Sequence, residues 1–271
     1  MRAWVRFLPV LTLLPAILVA TAPGTRAATP AWAPASAATI HPGSQTYTNS
    51  AQCTANFVYV DGAQVYLGQA AHCSSTGGSS QTDGCTAKSL PLGTAVRIIG
   101  ARRPAVMVYN SWLTMQALGE KNVDTCAFND LALLQLDPVD LGSVNPSIPF
   151  WGGPVGLNTA GTVAGDPVYF YGHSALLLGQ SQLSPRQGQS RGDTGHGWSH
   201  VVLVLPPGVP GDSGSGFLDQ QGQALGVLST IDVGTDPSNG VGDLSRELAY
   251  LHAHTGFSRV QLAPGTEPFR H

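Results

Sequence analysis

The stretch richest in chemical possibility is Pro206 to Leu218, PPGVPGDSGSGFL. At its centre, Gly211-Asp212-Ser213-Gly214 brings a serine hydroxyl together with backbone N–H groups that few side chains obstruct. Acyl transfer at a carbonyl needs a nucleophile and donors aimed at the oxygen that becomes negative. The N–H groups of Gly211 and Ser213 suit that second task. Glycine at 211 keeps a side chain away from both backbone and substrate. Runs of Gly, Ser and Asp are also ordinary turn chemistry, so the loop means catalysis only if a base and an orienting acid accompany it.

A base is available at His72, in Gly68-Gln69-Ala70-Ala71-His72-Cys73. Two alanines leave its ring room, and the adjacent cysteine ties the segment down. An acid is available at Asp130, which opens the strongly apolar run Leu131-Ala132-Leu133-Leu134-Gln135-Leu136. Burying an unpaired carboxylate is costly, so Asp130 requires a strong partner, and an imidazole N–H would serve. Without His72, Asp130 would read equally well as a turn cap before a strand.

The elements that must position these groups read as strands. Phe57 to Val60, a turn at Asp61-Gly62 and Gln64 to Leu67 form a hairpin that runs directly into the His72 segment. A Ser/Gly/Thr-rich loop spans Ser74 to Gly84, and strands resume at Ala95 to Ile99 and Ala105 to Tyr109. Residues 137 to 165, rich in Pro and Gly, connect two halves. In the second half, Pro167 to Tyr171, Ala175 to Leu178 and Val201 to Leu205 are strand candidates before the Ser213 loop, and Gln223 to Thr230 follows it. Apolar residues at 244, 248 and 251 have helical spacing, with Asp243 as N-cap and Gly256 as terminator, which predicts a C-terminal helix.

At 271 residues the chain can bury a large core, as one all-β domain or two small barrels. Charged residues are 11%, against 33 glycines and 20 prolines, a balance that favours short strands and tight turns. Residues 1–27 have a basic start (Arg2, Arg6), an apolar middle and small residues before a cut after Ala22 or Ala27, the marks of a secretory signal peptide. Cleavage after Ala27 removes Arg2, Arg6 and Arg26 and takes the balance from −3 to 10 basic against 16 acidic residues, or −6. That balance excludes a basic nucleic-acid surface. No other apolar run is long enough to span a bilayer. Residues 28–39 are Ala/Pro/Thr-rich and read as a linker or short pro-segment, with folding from about residue 40. Four cysteines in an exported chain imply two disulfides. Of three possible pairings, proximity favours Cys53 with Cys73 and Cys85 with Cys126. No close Cys-x-x-Cys pair points to a metal, and no cofactor is implied.

Taken together, Ala-Ala-His-Cys, Asn-Asp-Leu-Ala-Leu-Leu and Gly-Asp-Ser-Gly-Ser-Gly, in that chain order, resemble the histidine, aspartate and serine motifs of the chymotrypsin-like serine proteases. The resemblance runs from about Cys53 to Thr255, and the signal peptide and small size make the chain similar to the secreted bacterial members. It implies an all-β fold of two packed antiparallel six-stranded barrels, at about 40–140 and 160–256, with a C-terminal helix. It further implies Ser213 as nucleophile, His72 as general base, Asp130 as its orienting acid, and Gly211 and Ser213 as the oxyanion hole. Cys53 and Cys73 match the disulfide that braces the family's histidine loop. A monomeric secreted endopeptidase acting on proteins or peptides, without nucleic acid or membrane association, is the expectation.

The chain departs from the family in several places. No cysteine lies near Ser213, and no Ile-Val-Gly-Gly start is present to supply a freed amino group to Asp212, leaving Arg186 or Arg191 as its cation. Counting back from Ser213 places Pro207 where trypsins have aspartate, which argues against a Lys or Arg preference. Leu228-Ser229-Thr230-Ile231 matches the strand that binds substrate backbone, and Ile231 replaces a common glycine. Pro207, Ser229 and Ile231 thus predict a pocket for small or medium apolar side chains. An α/β-hydrolase is disfavoured because Ser215 breaks Gly-x-Ser-x-Gly. A catalytically silent binding protein on the same scaffold is the competing class.

Overall fold

A hairpin of β1 (Gln45–Thr48) and β2 (Ala51–Thr54) opens the first half, and its turn places Asn49 at a φ of 57°, a conformation asparagine tolerates. This computed structural model describes residues 30–77, 81–178, 180–232 and 237–271, with residues 1, 3 and 4. Residues 1–27, expected to be a signal peptide, otherwise lie outside the described residues. β3 (Val58–Asp61) and β4 (Gln64–Ala70) pair across the expected turn, with Gly62 at φ 61°. β5 (Ala95–Ile98), β6 (Ala105–Asn110) and β7 (Leu131–Gln135) follow. β2 and β3 are two stretches of one strand bent at residues 55–57. The first stretch pairs with β1, the second with β4. These two stretches stand at opposite ends of the sheet order β3-β4-β7-β6-β5-β1-β2.

Two short helices interrupt the chain between β6 and β7, α1 (Ser111–Leu118) and α2 (Val123–Phe128), and neither shows in the apolar spacing. Their caps are nonetheless written in the sequence. The Asn110 side chain accepts the Leu113 N–H, Gly119 ends α1 at φ 66°, and Asn122 accepts the Asp124 and Thr125 N–H groups.

The second half is a closed barrel in the order β10-β13-β12-β11-β8-β9, built from β8 (Pro167–Tyr171), β9 (Pro185–Thr194), β10 (Ser199–Val204), β11 (Gly216–Asp219), β12 (Ala224–Asp232) and β13 (Ser238–Asp243). Ala175 to Leu178, read as a strand, is instead a 3₁₀ turn over Ala175–Leu177, because the Ser174 side chain accepts the Leu176 N–H and caps it. α3 (Leu244–His254) starts at Asp243, as its spacing predicts, and gives way to β14 (Gln261–Leu262), which adds to the free edge of β3.

Alternation on β7 explains how the halves join. Ala132 and Leu134 enter the first barrel's core, while Leu131 and Leu133 face the layer where Tyr169, Leu218, Leu244, Leu248 and Leu251 meet them. Of residues 28–39, expected to be a linker or short pro-segment, the described residues 30–39 lie against the first half: Trp32 packs on its core, and the Ala33 and Thr39 N–H groups donate to Val144 and Ser143 carbonyls at 2.9 and 3.1 Å. Asn145 Nδ2 donates to Ala33 O at 2.7 Å and Thr266 Oγ1 at 2.8 Å, so one side chain ties the segment around residue 33 to that around residue 266.

One buried ionic group ties the second barrel to α3. His200 Nδ1 lies 2.6 Å from Asp193 and its Nε2 lies 3.0 Å from Asp243, so both ring nitrogens face carboxylates. Burial lowers the His200 pKa, but the bonds to Asp243 and Asp193 outweigh it and leave it raised. A raised histidine contributes stability fully present below its unfolded value of about 6.5 and lost as pH rises through the folded one. The thermal midpoint should therefore fall as pH climbs past that window, and His200→Gln should flatten part of the fall. An equally steep fall in the variant would refute the assignment.

Candidate active site

Strand register brings the base and the acid together. β4 pairs with β7 so that Ala70 faces Leu131, which sets His72, two residues beyond β4, beside Asp130, one residue before β7. The Ala71 N–H donates to Asp130 O at 2.8 Å, continuing the ladder. His72 donates its backbone N–H to Asp130 Oδ1 at 2.9 Å, and its Nδ1 lies 2.6 Å from Oδ2. A carboxylate only accepts, so the ring proton sits on Nδ1 and Nε2 keeps its lone pair. Side-chain exposure is 25% for His72 and 3% for Asp130, so the pair is anchored inside with one edge of the ring open. Desolvation lowers the His72 pKa, and the charge and hydrogen bond of Asp130 more than reverse it, leaving it raised. The Cys53–Cys73 bridge clamps this corner to β2, and Cys85–Cys126 joins the following loop to α2.

The serine loop is held almost atom by atom. Pro210 O accepts from Ser174 Oγ (2.6 Å), Gly211 O from Thr54 Oγ1 (2.8 Å) and Gln52 Nε2 (2.9 Å), and Ser213 O from the Thr54 N–H (2.8 Å). Asp212 O accepts from Ser215 Oγ at 2.7 Å. The N–H groups of Asp212, Gly214 and Ser215 donate to Val209, Leu228 and Asp212 carbonyls. Two N–H groups remain without an acceptor among the described residues, those of Gly211 and Ser213. Gly214 must be glycine: at its φ of 89°, a Cβ would lie 2.5 Å from Thr54 O and 2.9 Å from Ala70 N. That close approach brings the loop against the end of β4, next to His72. The loop's remaining anchor is ionic, with Asp212 Oδ2 2.7 Å from Arg186 Nη2, the first of the two cations considered.

His72, Ser213 and Gly211 line one cavity of about 400 Å³. Among the described residues, neither His72 Nε2 nor Ser213 Oγ has a hydrogen-bond partner. Ser229 and Ile231 also line the cavity, whereas Pro207 does not. The Pro207 carbonyl accepts from Arg186 Nη1 at 2.9 Å, and Gly208 and Val209 form the wall instead. Counting along the chain missed the turn that carries Pro207 toward Arg186. Asn239 closes one end: its Oδ1 accepts the Gly208 N–H at 2.8 Å, and its Nδ2 donates to Gly208 O and Thr230 O, each at 3.2 Å. No carboxylate lines the cavity among the described residues.

Several neighbours of the site were not foreseen in these roles. The Ser229 hydroxyl donates to Asp130 Oδ2 at 2.5 Å, so it serves the acid as well as the wall. Glu247 Oε1 accepts the Asp130 N–H at 2.8 Å. Burial pushes the Glu247 carboxyl well above its ordinary range, consistent with a neutral acid behind Asp130. One signal was available: Glu247 falls on the same helical stripe as 244, 248 and 251, where a charged residue has no reason to be buried without a partner.

No protein-family model and no curated protein matches this sequence. Solved structures do. Protease A of Thermobifida fusca superposes with a TM-score of 0.54 at 16% identity, over 83% of this chain and 99% of that one. A Nocardiopsis protease gives 0.51 at 17% over 82% and 98%, and a Cellulomonas bogoriensis chymotrypsin gives 0.50 at 16% over 83% and 98%. Identities this low speak for architecture, and the architecture is unambiguous: this chain has the two-barrel chymotrypsin-like fold.

Proposed function

We propose that this chain is an exported serine endopeptidase. The observation that carries the reading is the 2.6 Å His72–Asp130 pair opening onto the same cavity as Ser213 and two unpaired N–H groups. Ser213 Oγ attacks the substrate carbonyl carbon while its proton passes to His72 Nε2. The oxyanion settles on the Gly211 and Ser213 N–H groups, and Asp130 stabilises the imidazolium. The proton then goes to the leaving amine as the C–N bond breaks, and water repeats the sequence on the acyl-enzyme. Asn239 has its amide spent on Gly208 and Thr230, which leaves that end of the pocket suited to small or medium apolar side chains. Two disulfides fit an oxidising destination, and among the described residues no helix is long and apolar enough to cross a membrane. The structural neighbours are themselves proteases, which supports the same reading.

A catalytically silent binding protein has one observation in its favour, the lack of a hydrogen bond between Ser213 and His72. Such bonds are often long in unliganded enzymes. A fluorophosphonate probe separates the readings: wild type should be labelled at Ser213 and Ser213→Ala should not. A folded wild type that stays unlabelled would establish the silent reading.

A further inference from the structure

We propose that Ser174 is a positioning residue that turns the Pro210–Gly211 peptide so that the Gly211 N–H faces the cavity. The inference rests on the enzymatic reading above. Ser174 is buried just past β8, outside all three motifs. Its Oγ donates to Pro210 O at 2.6 Å and accepts the Leu176 N–H at 3.1 Å. A hydroxyl has one proton, so the accepted bond leaves that proton committed to Pro210. In a planar trans peptide the C=O and the N–H point to opposite sides. Pinning Pro210 O on the Ser174 side therefore sends the Gly211 N–H the other way, where it meets no acceptor among the described residues and Gly211 lines the cavity.

Turning that peptide over would break the Ser174 bond and present a carbonyl oxygen to the developing oxyanion, a repulsive arrangement in place of an attractive one. Nothing else among the described residues donates to Pro210 O. The next peptide is held separately, through Gly211 O on Thr54 and Gln52. Ser174 is itself anchored to the loop it orients, because its N–H donates to Asp212 Oδ1 at 2.9 Å. Space confirms the placement: a Cβ built on Gly211 would lie 2.8 Å from Ser174 Oγ and 2.3 Å from Gln52 Oε1. The hydroxyl thus packs directly over the glycine whose amide it aims.

The test uses the protein as exported in four forms of position 174: wild type, Ser174→Ala, Ser174→Thr and Ser174→Val. Threonine and valine share any steric burden and differ in the hydroxyl, so that comparison holds even if the alanine variant folds poorly. On a peptide anilide, Ser174→Ala and Ser174→Val should lose kcat by roughly 10- to 100-fold with KM little changed, less than deletion of an oxyanion donor because the N–H itself remains. Ser174→Thr should recover most of the kcat. Affinity for a peptide boronic acid, whose tetrahedral adduct uses the hole, should fall alongside kcat, while affinity for the cleaved product peptide should not. Equal kcat in the threonine and valine variants would overturn the inference, as would a loss confined to KM and thermal midpoint. Wild type that takes no fluorophosphonate label would bring down the enzymatic reading and this one with it. Labelled wild type with a fully active valine variant would bring down this one alone.

Discussion

Ser213→Ala and His72→Ala should each lower kcat about 10⁶-fold, and the double variant should fall no further, since nucleophile and base act as one unit. Asp130→Asn should cost about 10⁴, because an amide aimed at Nδ1 can stabilise the wrong tautomer and leave Nε2 protonated when it must accept. The same substitution carries a signature in pH. Desolvation lowers the His72 pKa and Asp130 raises it to above the ordinary value. Because the base must be neutral, kcat/KM of wild type should rise with pH through a midpoint above about 6.5. Removing the carboxylate leaves desolvation alone, so the residual activity of Asp130→Asn should show that midpoint shifted downward. Steady-state rates from pH 5 to 9 measure both effects. An unshifted limb would separate Asp130 from the ionisation of His72, and single losses that multiply in the double variant would break the unit.

These effects are concentrated in residues whose surroundings were legible in the sequence for a physical reason. His72 and Asp130 sit at the ends of paired strands, and strand ends carry alternation, small residues and apolar runs that can be seen locally. The Ser213 loop was visible because only glycine accepts the φ of 97° at 211 and 89° at 214. Strand and turn chemistry alone left one all-β domain or two small barrels open, and the two-barrel plan came from the resemblance of the three motifs to the chymotrypsin-like proteases. α1 and α2 were lost because they span 8 and 6 residues, too short for helical spacing to declare itself, although Asn110, Gly119 and Asn122 marked their ends. Contacts that set the finer geometry left no local trace at all. Gln52 reaches Gly211 across 159 positions and Ala175 across 123. Ser229 meets Asp130 across 99, so its hydroxyl looked like part of a pocket wall and nothing more. Pro207 failed for the opposite reason. A fixed offset from Ser213 cannot register that its carbonyl is spent on Arg186.

Arg186→Leu should destabilise the fold by about 3–5 kcal/mol and also remove most activity, a combination that follows from where the ion pair lies. Arg186 and Asp212 have side-chain exposures of 2% and 0%, so neither can turn to water when the other is lost. The guanidinium donates to Asp212 Oδ2 at 2.7 Å and Pro207 O at 2.9 Å, and it stacks 4.3 Å over the Phe170 ring. Gly172 roofs the pair so tightly that a Cβ there would lie 2.0 Å from Arg186 Nη2 and 2.4 Å from Asp212 Oδ1. Leucine keeps the apolar contact with Phe170 but strands a buried carboxylate one residue before Ser213. Relief by moving Asp212 outward would drag Ser213 and release the Ser174 N–H from Asp212 Oδ1, so stability and catalysis should fail together. Arg186→Leu combined with Asp212→Asn removes the stranded charge and should recover part of the stability, while kcat stays low because the Asp212 anchor is no longer ionic. Urea unfolding of the four members of this cycle measures the coupling directly. A single variant within about 0.5 kcal/mol of wild type would mean that the pair is dispensable and that something other than Arg186 holds the serine loop in place.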